Sequence, residues 1–85
     1  MKMILYFTAD WCGPCKQTRP IVEELNRDQI MAKFFIIDVD LEIEMAKDFE
    51  IKSVPTFVVM KDNKEIHRET GAKTRQQLEE LIRYE

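Results

Sequence analysis

Residues 2–8 read Lys-Met-Ile-Leu-Tyr-Phe-Thr, an almost unbroken apolar run, and from Pro14 the apolar spacing becomes helical, with Cys15, Thr18, Ile21, Val22 and Leu25 along one side. A strand without polar alternation has to be covered on both faces, so residues 2–8 predict a central strand. Glu23, Glu24 and Arg27 fall off the apolar stripe, which gives the helix one buried side. A second apolar run at residues 33–39 follows. Strand, helix and strand in that order call for a right-handed parallel crossover.

The remaining elements follow from local signals. Asp40 is expected to cap a short helix through Phe49, with Glu42 and Glu44 in its first turn, where the helix dipole favours negative charge. Residues 56–60 and 65–70 are strand candidates separated by Lys61-Asp62-Asn63-Lys64. Asp-Asn tolerates the left-handed backbone of a tight hairpin, so these strands should be antiparallel. Thr74 and Gln77 form a Thr-x-x-Gln capping box ahead of the apolar stripe Leu78, Leu81 and Ile82. The predicted order is β-α-β-α-β-β-α, an α/β fold with a four-stranded mixed sheet flanked by three helices. With 85 residues and no linker, repeat or low-complexity stretch, residues 1–85 read as a single domain. The pairs Glu23-Glu24 and Glu79-Glu80 read as solvated helix faces.

Charge and hydropathy narrow the functional classes. A net charge of −3 offers no basic surface to neutralise phosphates, so no nucleic-acid partner is expected. The leading apolar run is too short to span a membrane, and it lacks the long apolar region and cleavage site of a signal peptide, so a reducing, cytoplasmic location is expected. His67 sits among Ile66, Arg68 and Glu69 and reads as a solvated histidine on an exposed strand.

Both cysteines of the chain, Cys12 and Cys15, lie where the first strand gives way to the first helix. The attacking species in disulfide exchange is a thiolate, and unpaired N–H groups at a helix start, together with the positive end of its dipole, favour ionisation of Cys12. A three-residue spacing puts both sulfurs on one side of the first turn, within reach of a small disulfide ring. Gly13 leaves room for an incoming disulfide, and Pro14 stiffens the ring at a position whose N–H would be unbonded anyway. A structural staple over so small a loop would contribute only about 2 kcal/mol and would be opened in a reducing cytoplasm. Zinc needs four ligands, and two cysteines with a distant His67 do not supply them, so no metal is expected. Two ordinary buried cysteines would not explain Trp11 before the pair, Gly-Pro within it and a helix after it. Redox exchange is the leading reading.

The segment Phe7-Thr8-Ala9-Asp10-Trp11-Cys12-Gly13-Pro14-Cys15-Lys16 resembles the active-site signature of the thioredoxin family. Pro20 is similar to that family's kink proline, Val54-Pro55-Thr56 to its cis-proline turn, and Gly71-Ala72 to its substrate-facing pair. The resemblance implies Cys12 as attacking thiolate, Cys15 as buried resolving thiol, and a substrate surface of Trp11, Val54, Pro55, Gly71 and Ala72. It further implies disulfide-containing protein substrates, no bound cofactor, and electrons from NADPH through thioredoxin reductase. A monomer is expected. Trp11, the only tryptophan, should report the redox state by fluorescence.

Three departures from the family pattern stand out. Full-sized members carry a further strand and helix ahead of the segment matching residues 3–7, so the expected topology is the minimal one shared with glutaredoxins. One sheet face should then be covered by the short second helix alone and stand exposed. The family's buried aspartate behind the resolving cysteine aligns with Tyr6, and its nearby buried lysine with Ile36. A phenol of ordinary pKa near ~10 is no base at neutral pH, so Tyr6 reads as core filler and Cys15 would rely on water or on the Cys12 leaving thiolate. Thr8 stands where many members have a second tryptophan. Lys16 reads either as a cation supporting the Cys12 thiolate or as simple helix solvation, and Asp10 should face water. The alternatives kept open are a glutathione-linked, glutaredoxin-like reductase, against which WCGPC and the missing Gly-Gly pair argue, and a binding module in which the thiols are incidental.

Overall fold

In the computed structural model, which describes residues 2–84, the chain runs β1 (Lys2–Thr8), α1 (Gly13–Asp28), β2 (Ala32–Asp38), α2 (Ile43–Asp48), β3 (Thr56–Lys61), β4 (Lys64–Thr70) and α3 (Arg75–Ile82). The strands form one sheet in the order β2-β1-β3-β4, with β1 parallel to β2 and antiparallel to β3. The apolar run of residues 2–8 is thus an interior strand, as its lack of alternation requires.

Both faces of β1 are buried by different layers. Ile4 and Tyr6 point into a cluster with Val22 and Leu25 of α1, Phe34 of β2, Phe57 and Val59 of β3, and Leu78, Leu81 and Ile82 of α3. Leu5 and Phe7 point the other way, to Ile37 and Val58, under Met45, Phe49, Ile51 and Val54. That second face is less open than the sequence suggests. Phe7 and Val58 are fully buried because Phe49 and the segment after α2 join the helix in covering them, with the Phe7 and Phe49 rings 5.6 Å apart. The cover thins toward β2, where Phe35 is 39% exposed and a cleft of about 420 Å³ lies over Met3, Leu5 and Ile37.

Several local signals are realised and one is corrected. Asp62 and Asn63 both take positive φ, 53° and 68°, the pattern of a type I′ hairpin whose twist matches the flanking strands. The Thr74 hydroxyl accepts the Gln77 N–H while the Gln77 side chain accepts the Thr74 N–H, completing the capping box of α3. Asp40, however, does not cap α2, which starts later, after Glu42, without a side-chain cap. The Asp38 carboxylate accepts the Asp40 N–H at 2.8 Å, and the Asp38 carbonyl accepts those of Leu41 and Glu42. This turn delays the helix and leaves the Asp40 carboxylate available elsewhere.

His67 differs from a simple solvated side chain, whereas Glu23, Glu24 and Glu80 are exposed as expected and Glu79 is half-buried. The His67 ring is half-buried, 2.6 Å from a Glu69 carboxylate oxygen and stacked on Tyr84. Arg75 of α3 bonds Glu79 on its own helix and reaches Glu24 and Asp28 on α1, tying the two helices that share a sheet face. Pro20 lies inside α1, where it removes the amide that would bond the Lys16 carbonyl.

The outer edge of β2 is capped at Ala32 and Phe34 by the side chains of Asn26 in α1 and of Gln29, which ends that helix. Asn26 donates to the Phe34 carbonyl at 2.9 Å and accepts the Phe34 N–H at 3.0 Å, while Gln29 does the same for Ala32 at 2.6 and 3.1 Å. Each amide imitates the two bonds a neighbouring strand would make, which blunts an edge otherwise prone to pairing. Replacing Asn26 by alanine is expected to lower the unfolding free energy by about 1 to 2 kcal/mol, from two lost bonds that water partly replaces. Urea unfolding of the two proteins checks this, and Phe34 amide exchange should accelerate in the variant.

Candidate active site

The strand-to-helix junction at the end of β1 sets Cys12 as the N-cap of α1 and Cys15 in its first turn. The cysteines are joined by a disulfide with their Cα atoms 5.3 Å apart. The Cys12 sulfur accepts the Cys15 N–H at 3.2 Å, so a charge on that sulfur is met by one of the orphan donors of the helix start. The same sulfur lies 3.7 Å from the Val54 carbonyl oxygen, near enough for a reduced thiol to donate to it. Both cysteines are buried, Cys15 more deeply at 2% exposure, in a small cluster with Ala9 under Val39 and Val54.

Residues distant in sequence close around this pair. The Val54-Pro55 bond is cis, as the resemblance implied, and the Pro55 carbonyl accepts the Gly71 N–H at 2.9 Å. That bond holds the residue 71–72 turn beside the residue 54–55 turn. Gly71 has φ of 94°, which side chains rarely adopt, so glycine is needed there for the backbone itself. At Gly13 a Cβ would meet nothing within 4 Å; the space it would take is open to an approaching partner. Trp11 is 68% exposed and borders a shallow apolar groove of about 180 Å³ with Val39, Ile51, Lys52, Ser53 and Val54. Its indole N–H donates to the Asp40 carboxylate at 2.8 Å. Asp40 is a site residue that sequence reasoning assigned to a helix cap, and at a separation of 29 positions no local pattern could pair it with Trp11.

Behind the disulfide, Tyr6 is fully buried, with its ring stacked on Phe57 at 4.8 Å and its hydroxyl donating to the Cys15 carbonyl at 3.2 Å. It is core filler that also steadies the first turn of α1. Burial pushes its phenol above the ordinary value near 10, against the pull of a hydrogen bond with Thr8 and of the Arg19 charge. Ile36, at the other departure, packs half-buried against the same cluster. An apolar side chain and a neutral phenol thus fill this part of the core, where a lone charge would be costly. Asp10 and Lys16 are both exposed.

A cysteine pair at disulfide distance on the first turn of a helix, beside a cis-proline turn and at the end of a central strand, defines a thiol–disulfide oxidoreductase. The thioredoxin family model matches residues 1–84. The chain is 37% identical over 82 residues to a thioredoxin of Mycoplasmoides gallisepticum, covering 96% of this chain and 82% of that one. It is 39% identical over 77 residues to a thioredoxin of Bacillus subtilis, covering 89% of this chain and 74% of that one. Its fold superposes on the X-ray structure of Fasciola hepatica thioredoxin with a TM-score of 0.89 at 38% identity, covering 96% of this chain and 78% of that one. The chain belongs to the thioredoxin family, and its activity is dithiol–disulfide exchange.

The Tyr6 phenol sets a pH dependence. Below pH ~10 it is protonated in both folded and unfolded chains; above that the unfolded chain releases a proton that the folded chain retains, so stability falls as pH rises. Tyr6→Phe is expected to remove that part of the alkaline loss and to cost about 1 kcal/mol near neutral pH through the missing bond to Cys15. Denaturant unfolding of both proteins at pH 7 and across pH 9 to 11 measures the two effects.

Proposed function

We propose that this chain is a reductase of protein disulfides in which Cys12 attacks and Cys15 resolves. The observation that carries the assignment of roles is the position of the Cys12 sulfur, which caps α1 and accepts the Cys15 N–H. A thiolate on Cys12 attacks one sulfur of a partner disulfide. The partner S–S bond breaks, and its other sulfur leaves as a thiolate that takes up a proton. Cys15, as thiolate, then attacks the Cys12 sulfur, forming the Cys12–Cys15 bond and expelling the second partner sulfur. Two electrons pass to the partner.

The partner docks across Trp11, Val54, Pro55, Gly71 and Ala72, with Gly13 and Pro14 forming the rim. Supporting this surface are the exposure of Trp11, the open space at Gly13, and the bond from Gly71 to Pro55 that gathers the two turns. The Val54 backbone at this surface suits an extended segment recognised through its main chain. Electrons come from NADPH through thioredoxin reductase, and the protein works in the cytoplasm as a single-domain monomer on disulfide-containing proteins. The amide caps along β2 favour the monomer, because they occupy backbone groups through which a second chain would pair.

Oxidised protein given NADPH and thioredoxin reductase should regain its thiols and change its Trp11 fluorescence faster than with NADPH, glutathione and glutathione reductase. Faster reduction by the glutathione system would instead assign a glutaredoxin-like role. Cys12→Ser is expected to reduce disulfide turnover to background, and Cys15→Ser to accumulate mixed disulfides on Cys12, both read by mass spectrometry and thiol assay. A double Cys→Ser variant that still performed the cellular task would point to a binding module.

A further inference from the structure

The resolving step requires Cys15 to lose a proton, and the residues behind it offer no carboxylate: Tyr6 and Ile36 fill that part of the core. A different route is open. A cavity of about 110 Å³ is walled by Thr8, Ala9, Asp10, Cys15, Lys16 and Arg19, none of which lines the Trp11 groove. That is room for about three waters. Asp10 and Arg19 also line a wider cleft of about 370 Å³ with Ile36, Asp38, Leu41 and Glu42, so the small cavity borders open solvent along a wall carrying one carboxylate and one guanidinium. The Trp11–Val54 groove shares none of these residues.

We propose that the Cys15 thiol releases its proton to water in this cavity and that Arg19 is the positioning residue whose charge stabilises the resulting Cys15 thiolate. The inference rests on Cys15 being the resolving thiol. Arg19 lies four residues after Cys15, one turn along the same face of α1. Lys16 lines the same cavity, but Arg19 also lines the wider cleft, and its charge, with the opposite charge of Glu23, reaches the Tyr6 hydroxyl that is bonded to the Cys15 carbonyl. The opposing charges are Glu23, 3.7 Å from Arg19 on α1, Asp10 after β1, and Asp38 and Glu42 across the wider cleft. The chemistry balances: the proton passes from Cys15 to water, the thiolate forms the bond to Cys12, and the Cys12–partner bond breaks with its electron pair on the departing partner sulfur.

The test uses the full chain carrying Cys12→Ser, in which serine keeps a good helix cap and Cys15 is the only thiol, so no partner is needed. The Cys15 Cβ chemical shift, labelled with carbon-13, is followed against pH. Arg19→Gln is expected to raise the Cys15 titration midpoint and lower its thiolate fraction at neutral pH by about twofold to fivefold, the range for a half-exposed charge screened by water. Arg19→Lys should restore most of the difference, and 1 M salt should shrink it. An unmoved midpoint in Arg19→Gln, a lysine variant no better than glutamine, or a larger shift from Lys16→Gln overturns the assignment. Turnover of a protein disulfide by the unsubstituted chain is a separate measurement: its absence overturns the proposed reductase function, whereas the Cys15 titration alone decides the role of Arg19.

Discussion

The burial of β1 on both faces is the constraint from which the other features follow. Ile4 and Tyr6 need α1 and α3 above them, and Leu5 and Phe7 need α2 and Phe49 below, so the strand lies inside the sheet with a layer on each side. Once β1 is central, its C-terminal end is also the place where the chain turns into α1. The cysteines stand at that turn because the strand ends and the helix begins there. The same placement brings the start of β3, with its cis-proline turn, alongside, since β1 and β3 are hydrogen-bonded neighbours.

Chemistry at the site depends on how differently the two sulfurs are surrounded. Cys12 caps the helix and meets the Cys15 amide and the Val54 carbonyl, groups that steady it in whichever state it adopts. Cys15 is held from behind by Tyr6, through a backbone bond that fixes the turn without offering a base. The core under the pair is therefore neutral, and the charged groups stand to one side, around the cavity lined by Asp10, Lys16 and Arg19. Small Thr8 is part of that cavity's wall, beside the phenol that fills the core.

The two sheet edges are managed differently. At β4 the Arg68–Glu65 ion pair and the Glu69 carboxylate, hydrogen-bonded to the His67 ring, place charge on an outer strand, which discourages pairing with another chain. The β2 sequence is more apolar, and there Asn26 of α1 and its C-cap Gln29 take up the backbone groups of Phe34 and Ala32 directly. One helix thus carries the cysteine pair at its start and seals a strand edge at its end.

Much of this was legible in the residues. Period and punctuation are properties of short windows: an unbroken apolar run makes an interior strand, Asp62-Asn63 turns a hairpin, Thr74-x-x-Gln77 starts a helix, and Cys-Gly-Pro-Cys after a strand makes a redox pair. Each rests on backbone sterics or local hydrogen bonds that operate within a few residues. Tertiary placement decided the rest. Asp40 looked like a helix cap and instead holds the Trp11 indole, because the turn made by Asp38 released it and sheet order brought it near. Phe49 covered part of a face expected to be open, and Arg19, an ordinary helix cation in sequence, came to line a cavity with Cys15 and Asp10. Which partner a polar or aromatic side chain finds depends on how elements far apart in the chain are stacked, and no local window carries that information.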